Sequence, residues 1–369
     1  TAAQMPRSVG LALASVLYRK NAELKEFDTF SKNGNEITWT SIGNASTAEG
    51  HFWEAVNAIG VLHAPAIISI YDDGYGISVP NEFQMVKENI YAILQGFQRV
   101  PCPAEQCDRG YDLYQVPAWD YPALLQTYQE AANTASKYHI PALVHVTDAT
   151  QPQGHSTSGS QERYKSKERL EWEYENDCLR RFRQYLVDNN VATDEQLSEF
   201  EAEDKKTVEQ ARKKAWESFQ SPIKQFVKTT SQRLSELAAN SSTHKVEIET
   251  INNRLLNIQD PIFSDAASAV HQALVLTKDQ PSEPRKALQD LANGLETERQ
   301  AYYNKFLFSD SNRSPLKVKP VEAKYSKDSP TLMGFEVLNK AFDEILAREP
   351  LMVAFGEDVG QLGDVNQAF

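Results

Sequence analysis

The chain reads as an α/β protein: a doubly wound, mainly parallel sheet, then a helical region, then the start of a second α/β module. Three observations predict this. Between residues 37 and 146, short β-branched apolar runs alternate with segments of helical period. From about Ser166 to Phe306 the charge is dense and the periodicity purely helical. After a polar stretch from Ser309 to Pro330, the apolar pattern restarts. The corresponding boundaries are 1–165 for the α/β domain, 166–308 for the helices, 309–330 for a linker and 331–369 for the second module.

Each element has its own signal. Ile37 to Ile42 is β-rich, and His51 to Val61 carries Phe52, Val56, Ile59 and Val61 at helical spacing. Ala66 to Tyr71 is a short apolar run, expected of a strand buried on both faces. The three form a βαβ unit, whose right-handed crossover makes the strands parallel. The loops after both strands, Gly43–Gly50 and Asp72–Gly76, then share the carboxyl edge of the sheet, where open α/β sheets bind ligands. Pro122 to Tyr138 continues as a helix and Pro141 to Val146 as a strand. The later periodicity predicts helices over Leu170–Asn189, Asp194–Phe219, Pro222–Leu237, Pro261–Thr277 and Arg285–Lys305. Pro222 suits a first helical position, with Ser221 as its cap. Leu332 to Leu346 has one apolar helical face, and Leu351 to Phe355 reads as a buried strand.

Composition narrows the function. The 369 residues are 41% hydrophobic, enough for a sizeable core. A net charge of -13 argues against nucleic acid as a partner. No run of about 18 apolar residues predicts a membrane span. Three cysteines, Cys102, Cys107 and Cys178, fit a reducing compartment and hence the cytoplasm. The Cys102/Cys107 pair lacks the second pair or nearby histidine of a zinc site. Thr1 at the start, and no closing signal near Phe369, read as a piece of a longer protein.

Two loops carry the chemistry. Asn44 and Asp73 end the two strands of the βαβ unit and offer an amide oxygen and a carboxylate, hard donors suited to Mg²⁺ or Ca²⁺. Gly43, Ala45 and Ser46 are small enough for backbone to approach an anion ahead of a helix N-terminus. The plainer reading stays open beside it: Ser46 or Thr47 caps the helix and Asp73 makes a turn. A third loop, Pro152 to Gly159, holds His155 among glycine and serine, where an imidazole can titrate near neutrality and donate to an anion.

These segments, Gly43-Asn44-Ala45 with Glu49-Gly50 and then Asp73-Gly74-Tyr75-Gly76-Ile77-Ser78, resemble the thiamine-diphosphate motif of the α-subunits of 2-oxoacid dehydrogenase E1 components. The fold implied is the thiamine-diphosphate-binding type of parallel sheet. The metal ligands implied are Asn44, Asp73 and the Tyr75 carbonyl. The cofactor contacts implied are Gly43, Asn44, Ala45, Ser46, Asp73, Tyr75, Ile77 and His155. His155-Ser156-Thr157-Ser158 resembles the family's His-Ser-Thr-Ser loop, which gives His155 a part in acyl transfer and puts Ser156 where mitochondrial relatives are phosphorylated. Four positions depart from the pattern: Asn44 stands for a carboxylate and Asp73 for an amide, Ala45 for a glycine, and Tyr71 for an arginine found in some relatives.

The resemblance runs outward. Thr1–Gly10 is similar to the helix before the metal loop, Glu162–Phe219 to the helical end of the α part, and Pro330–Phe369 to the start of the β-subunit. It implies an E1 with α and β parts in one chain. The implied reaction is oxidative decarboxylation of a branched-chain 2-oxoacid or pyruvate, with thiamine diphosphate and Mg²⁺, passing the acyl group to lipoyl on an E2 acyltransferase. The catalytic glutamate of such enzymes belongs to the β half, so the site is completed by self-association and this chain alone is expected to be inactive; Glu357 is not that residue. Two other readings are an acetoin-type dehydrogenase and an assembly protein that kept the fold without the cofactor.

Overall fold

The computed structural model describes residues 1–100, 109–152, 154, 161–307, 309–356 and 358–369. They form two compact units: Thr1–Leu197 with Pro330–Phe369, and Ser198–Ser329.

The first unit opens with α1 (Gln4–Lys20), followed by β1 (Thr38–Gly43), α2 (Gly50–Leu62) and β2 (Ala66–Tyr71). A small hairpin, β3 (Tyr75–Gly76) and β4 (Val79–Pro80), leads to α3 (Ile90–Leu94), β5 (Asp112–Pro117), α4 (Tyr121–Tyr138) and β6 (Ala142–Thr147). The four long strands make one parallel sheet in the order β1-β2-β6-β5. β1 and β2 pair from Thr38↔Ala66 to Gly43↔Tyr71, so both loops of interest leave the same edge.

Side chains alternate across a strand, and the two faces of β2 show it. Ile68 and Ile70 pack with Met5, Ala12, Phe52, Val56 and Ile59 from α1 and α2. Ile67 packs on the other face with Ala131 and Ala135 of α4 and with Val144. Ser69, also fully buried, accepts hydrogen bonds from Trp39 Nε1 and the Tyr128 hydroxyl, both at 2.9 Å. The sheet is covered on both sides, which is the doubly wound arrangement expected.

The helices that follow differ in detail from the periodicity. Leu170–Asn189 is two helices, α5 (Lys167–Glu175) and α6 (Cys178–Asp188). The break is Asp177, whose carboxylate accepts from the N–H groups of Leu179 and Arg180 and so starts a new helix. The two helices expected on either side of Pro222 are one, α7 (Asp194–Asn240), and Pro222 lies inside it. Ser218, Ser221 and Pro222 are exposed, so the carbonyl left without its N–H partner meets water, and Ser221 caps nothing. α8 (Lys245–Leu256) was not expected, although Ile248, Ile251 and Leu255 have helical spacing. α9 (Phe263–Leu276) and α10 (Glu283–Asn304) follow. The core of the second unit joins Ile223, Leu234, Ile248, Val270, Ala273 and Leu288.

Residues 309–333 are largely irregular and exposed. α11 (Gly334–Arg348) forms as expected. The strand expected over Leu351–Phe355 does not form. A strand buried on both faces needs neighbours, none pairs here among the described residues, and Leu351, Val353 and Phe355 are exposed. No helix among the described residues is long and apolar enough to cross a membrane.

Two variants test this packing. Phe52→Ala is expected to destabilise the first unit by about 3–5 kcal/mol. Pro222→Ala is expected to stabilise the second by up to about 3 kcal/mol, by restoring a helix hydrogen bond. Hydrogen exchange in urea, read separately on β2 and α9 amides, measures both. A loss of stability with Pro222→Ala would contradict the reading of that helix.

Candidate functional site

The first loop is a turn set directly on β1. The Asn44 N–H donates to the Tyr71 carbonyl at 2.9 Å, extending the β1–β2 ladder by one bond. Asn44 is itself αR and buried, and Ala45–Ala48 forms a single 3₁₀ turn. The buried Thr47 hydroxyl donates back to the Asn44 carbonyl at 2.6 Å. Neither Ser46 nor Thr47 caps α2; that position falls to Glu49, which makes no capping bond with its side chain. Ala45 is not among the residues with positive φ, so its methyl group costs the turn nothing. Gly43 is exposed, and Ala45 and Ser46 are half-buried.

The second loop runs from Asp72 to Asn81. Gly74, at φ +82°, makes a turn that L side chains rarely adopt. The hairpin that follows turns over Ile77 and Ser78, with Ile77 at φ 62° and more than half exposed. A β-branched residue in that region is a strained choice, of order 1–3 kcal/mol. Gly76 lets the loops touch: a Cβ there would fall 2.8 Å from the Ala45 methyl.

A hydrogen-bond chain joins the loops and the sheet. His145 Nε2 lies 2.8 Å from Asp72 Oδ2. A carboxylate only accepts, so Nε2 carries the proton. Asp72 Oδ1 accepts from the Gly74 N–H at 2.9 Å and from Asn81 Nδ2 at 3.0 Å. Asn81 Oδ1 accepts from Asn44 Nδ2 at 2.7 Å, and Asn44 Nδ2 also donates to the Tyr75 carbonyl at 3.1 Å. Asp73 Oδ1 accepts from the Tyr75 N–H at 3.1 Å.

The two adjacent acids therefore differ. Burial pushes the Asp72 carboxyl up, but His145, the Gly74 N–H and Asn81 outweigh it and hold Asp72 below the usual carboxylate range. Burial pushes Asp73 above that range; the Tyr75 N–H and Lys165 offset only part, and the charge of Asp72 adds to the rise.

A clamp from outside the loops completes the site. Lys165, almost fully buried, meets both carboxylate oxygens of Glu173 at 2.8 and 2.9 Å. Arg169 Nε binds Glu173 at 2.8 Å, and its other end donates to the Asp73 carbonyl at 3.0 Å. Lys165 Nζ also sits 4.9 Å from the Tyr75 ring centroid. A cleft of about 190 Å³ borders Asp72, Asp73, His145, Asp148 and Arg169 but none of Gly43–Ser46. The larger cleft, about 450 Å³, lies among α7, α9 and α10 of the second unit and holds none of the motif residues.

Of the residues expected in a site, the structure brings Asn44 and Asp73 together on Tyr75, one at its carbonyl and the other at its N–H. Gly43, Ala45 and Ser46 line the facing loop, and Ile77 stands at the exposed hairpin tip. His155, Ser156, Cys102, Cys107 and Glu357 lie outside the described residues. The donors fit a magnesium–diphosphate group in kind: one carboxylate, one amide and one carbonyl, all hard oxygen. The sense of the Asn44 amide is the one feature set otherwise, with nitrogen toward Tyr75.

Sequence reasoning missed Asp72, Asn81, His145 and the Lys165–Arg169–Glu173 clamp. The signal was present, because a histidine inside the apolar run Ala142–Val146 must find a partner when buried. Arg169 and Glu173 are four apart on one helical face, and Lys165 lies four positions before Arg169, just ahead of that helix.

The contrast between the acids is testable by chemical denaturation without metal. Asp72→Asn removes an acceptor from a buried network and is expected to cost about 1–3 kcal/mol. Asp73→Asn is expected to stabilise. A carboxyl whose folded pKa is raised disfavours folding once ionised, so the gain is full at neutral pH and vanishes below about pH 4. Equal losses in both variants would contradict this assignment.

The Dehydrogenase E1 component family matches residues 1–224. The pyruvate dehydrogenase E1 component subunit alpha of Bacillus subtilis (strain 168) is 31% identical over 189 residues, 50% of this chain and 46% of the relative. The 2-oxoisovalerate dehydrogenase subunit alpha of the same organism is 27% identical over 192 residues, 52% and 50% of the two chains. The mitochondrial pyruvate dehydrogenase E1 component subunit alpha of Solanum tuberosum is 25% identical over 221 residues, 58% and 48%. The chain spans about half the length of these curated relatives. Both loops, the sheet and the clamp fall within the matched residues, and the chain belongs to the Dehydrogenase E1 component family.

Proposed function

We propose that the chain is the α-type part of an E1 component of a 2-oxoacid dehydrogenase complex, acting with thiamine diphosphate and Mg²⁺ on pyruvate or a branched-chain 2-oxoacid. The observation that carries the reading is the meeting of Asn44 and Asp73 on Tyr75 at the carboxyl edge of the sheet. Names of similar proteins include both pyruvate and 2-oxoisovalerate dehydrogenases, which supports the substrate class and leaves both members in it.

In this reading Gly43, Ala45 and Ser46 offer close backbone approach to a diphosphate. Asn44, Asp73 and the Tyr75 carbonyl hold the metal, and Ile77 lies against the cofactor. Bound thiamine diphosphate supplies the electron sink for decarboxylation. The chain's own residues position it. Asp73 brings the negative charge that a cation needs, and burial already disfavours that charge without one. Arg169 and Lys165 fix the backbone and ring that present the Tyr75 carbonyl. His155 is assigned to the diphosphate and to acyl transfer toward lipoyl on an E2 acyltransferase. A β half, contributed through self-association, completes the site. The alternative of a protein that kept the fold without the cofactor draws on one observation, the Asn44 side-chain Nδ2 on the Tyr75 carbonyl.

Calorimetric titration of thiamine diphosphate, with and without Mg²⁺, into the full-length protein and its Asp73→Ala variant tests this. Metal-dependent binding, lost in the variant, is expected. Absence of binding by the folded parent would overturn the reading in favour of the alternative.

A further inference from the structure

We propose that Asn44 stands in for a metal ion in closing this loop: its Nδ2, aimed by Asn81 and Asp72, ties the Tyr75 carbonyl to the end of β1, so the loop is ordered before any divalent cation arrives. The proposal deepens the cofactor reading and rests on it for the place of the metal.

The direction of the chain follows from donor and acceptor chemistry. Asp72 Oδ1 already accepts from the Gly74 N–H at 2.9 Å and is an acceptor, so Asn81 must turn its Nδ2 toward it, at 3.0 Å. That leaves Asn81 Oδ1 facing Asn44, at 2.7 Å, and only an N–H can answer it. The same Nδ2 reaches the Tyr75 carbonyl at 3.1 Å, so both of its protons are used. Turning the Asn44 amide over would set its oxygen against two acceptors at those distances. Asn44 is 4% exposed and Asn81 9%, so water does not relieve the clash. The sense of the amide is thus dictated by a carboxylate two hydrogen bonds away.

A cation that takes the Tyr75 carbonyl and the Asn44 oxygen must first undo both bonds. A carboxylate at position 44 reverses every term. It cannot donate, so the metal-free loop loses its tie to Tyr75. It adds a third negative charge beside Asp72 and Asp73, and a cation then gains what the loop lost. Metal-free order and tight metal binding are therefore opposed at this position.

The test compares the full-length parent with Asn44→Asp by hydrogen exchange at the Tyr75 and Asn81 amides, without metal and with Mn²⁺ plus thiamine diphosphate. The Asn81 N–H bonds the Gly74 carbonyl at 3.0 Å and reports closure directly. In the parent, both amides are expected to be protected without metal and little changed by Mn²⁺. In Asn44→Asp, metal-free protection is expected to fall about tenfold or more and to return with Mn²⁺ and cofactor, with Mn²⁺ bound about tenfold tighter than by the parent. Asn81→Leu, which removes the acceptor that aims Asn44 Nδ2, is expected to lose metal-free protection too. Exchange at β5 and α9 amides serves as the folding control.

Metal-free protection in Asn44→Asp equal to the parent's would overturn the proposal. So would a parent loop that gains protection only when Mn²⁺ is added. If the variant loses protection and Mn²⁺ with cofactor restores nothing in either protein, the tie through Asn44 stands and the cofactor reading falls.

Discussion

A buried carboxylate that cannot donate organises this site. Asp72 sits one residue beyond β2, and its oxygens collect protons from three places: the backbone of its own turn, a side chain past the hairpin, and a histidine in β6. Its backbone is tied as firmly, since the Asp72 N–H donates to the Val146 carbonyl and the Asp72 carbonyl accepts from Ala149. A charge so placed is tolerated only when its lone pairs are filled. The loop around it is therefore not free to take another course. The orientation of Asn81, and through it of Asn44, follows from that one ionised group.

The clamp from Lys165, Arg169 and Glu173 acts on the same loop from the other end. Two cations share one carboxylate, and the surplus positive charge faces Asp73 and the Tyr75 ring. Arg169 holds a carbonyl instead of the Asp73 carboxylate, so it fixes the backbone without neutralising the acid. The acid is left at a raised pKa, poorly matched to its surroundings, which is the condition in which a cation gains most by arriving. Asp72 and Asp73 thus differ at adjacent positions: three donors hold the first as a structural anion, while burial outweighs the Tyr75 N–H and Lys165 at the second.

Much of this was legible in the sequence because it rests on period and spacing. The Ala66–Tyr71 run announced a strand covered on both faces, and the strand–helix–strand order placed Asn44 and Asp73 on one edge. What stayed hidden depends on contacts between distant segments. Nothing local distinguishes Asp72 from Asp73; burial and the approach of His145 do. The strand read at Leu351–Phe355 shows the opposite error, since a short apolar run states a preference that only a neighbouring strand can satisfy. The single helix through Pro222 was hidden for a similar reason, because proline's cost depends on which side of the helix faces water.

Asp72 and His145 are separated by 73 residues, and β6 is inserted between β2 and β5. During synthesis at about 5–20 residues per second, that gap corresponds to about 4–15 s. Over this interval β1 and β2 are already available to pair, while the edge of β2 that β6 will occupy is open and Asp72 is solvated. The ligand-facing loop is therefore the last part of the sheet edge to lose its freedom, because its loop-closure entropy is repaid only when β6 docks. In a nascent chain, the β1–β2 pair can form before the site does.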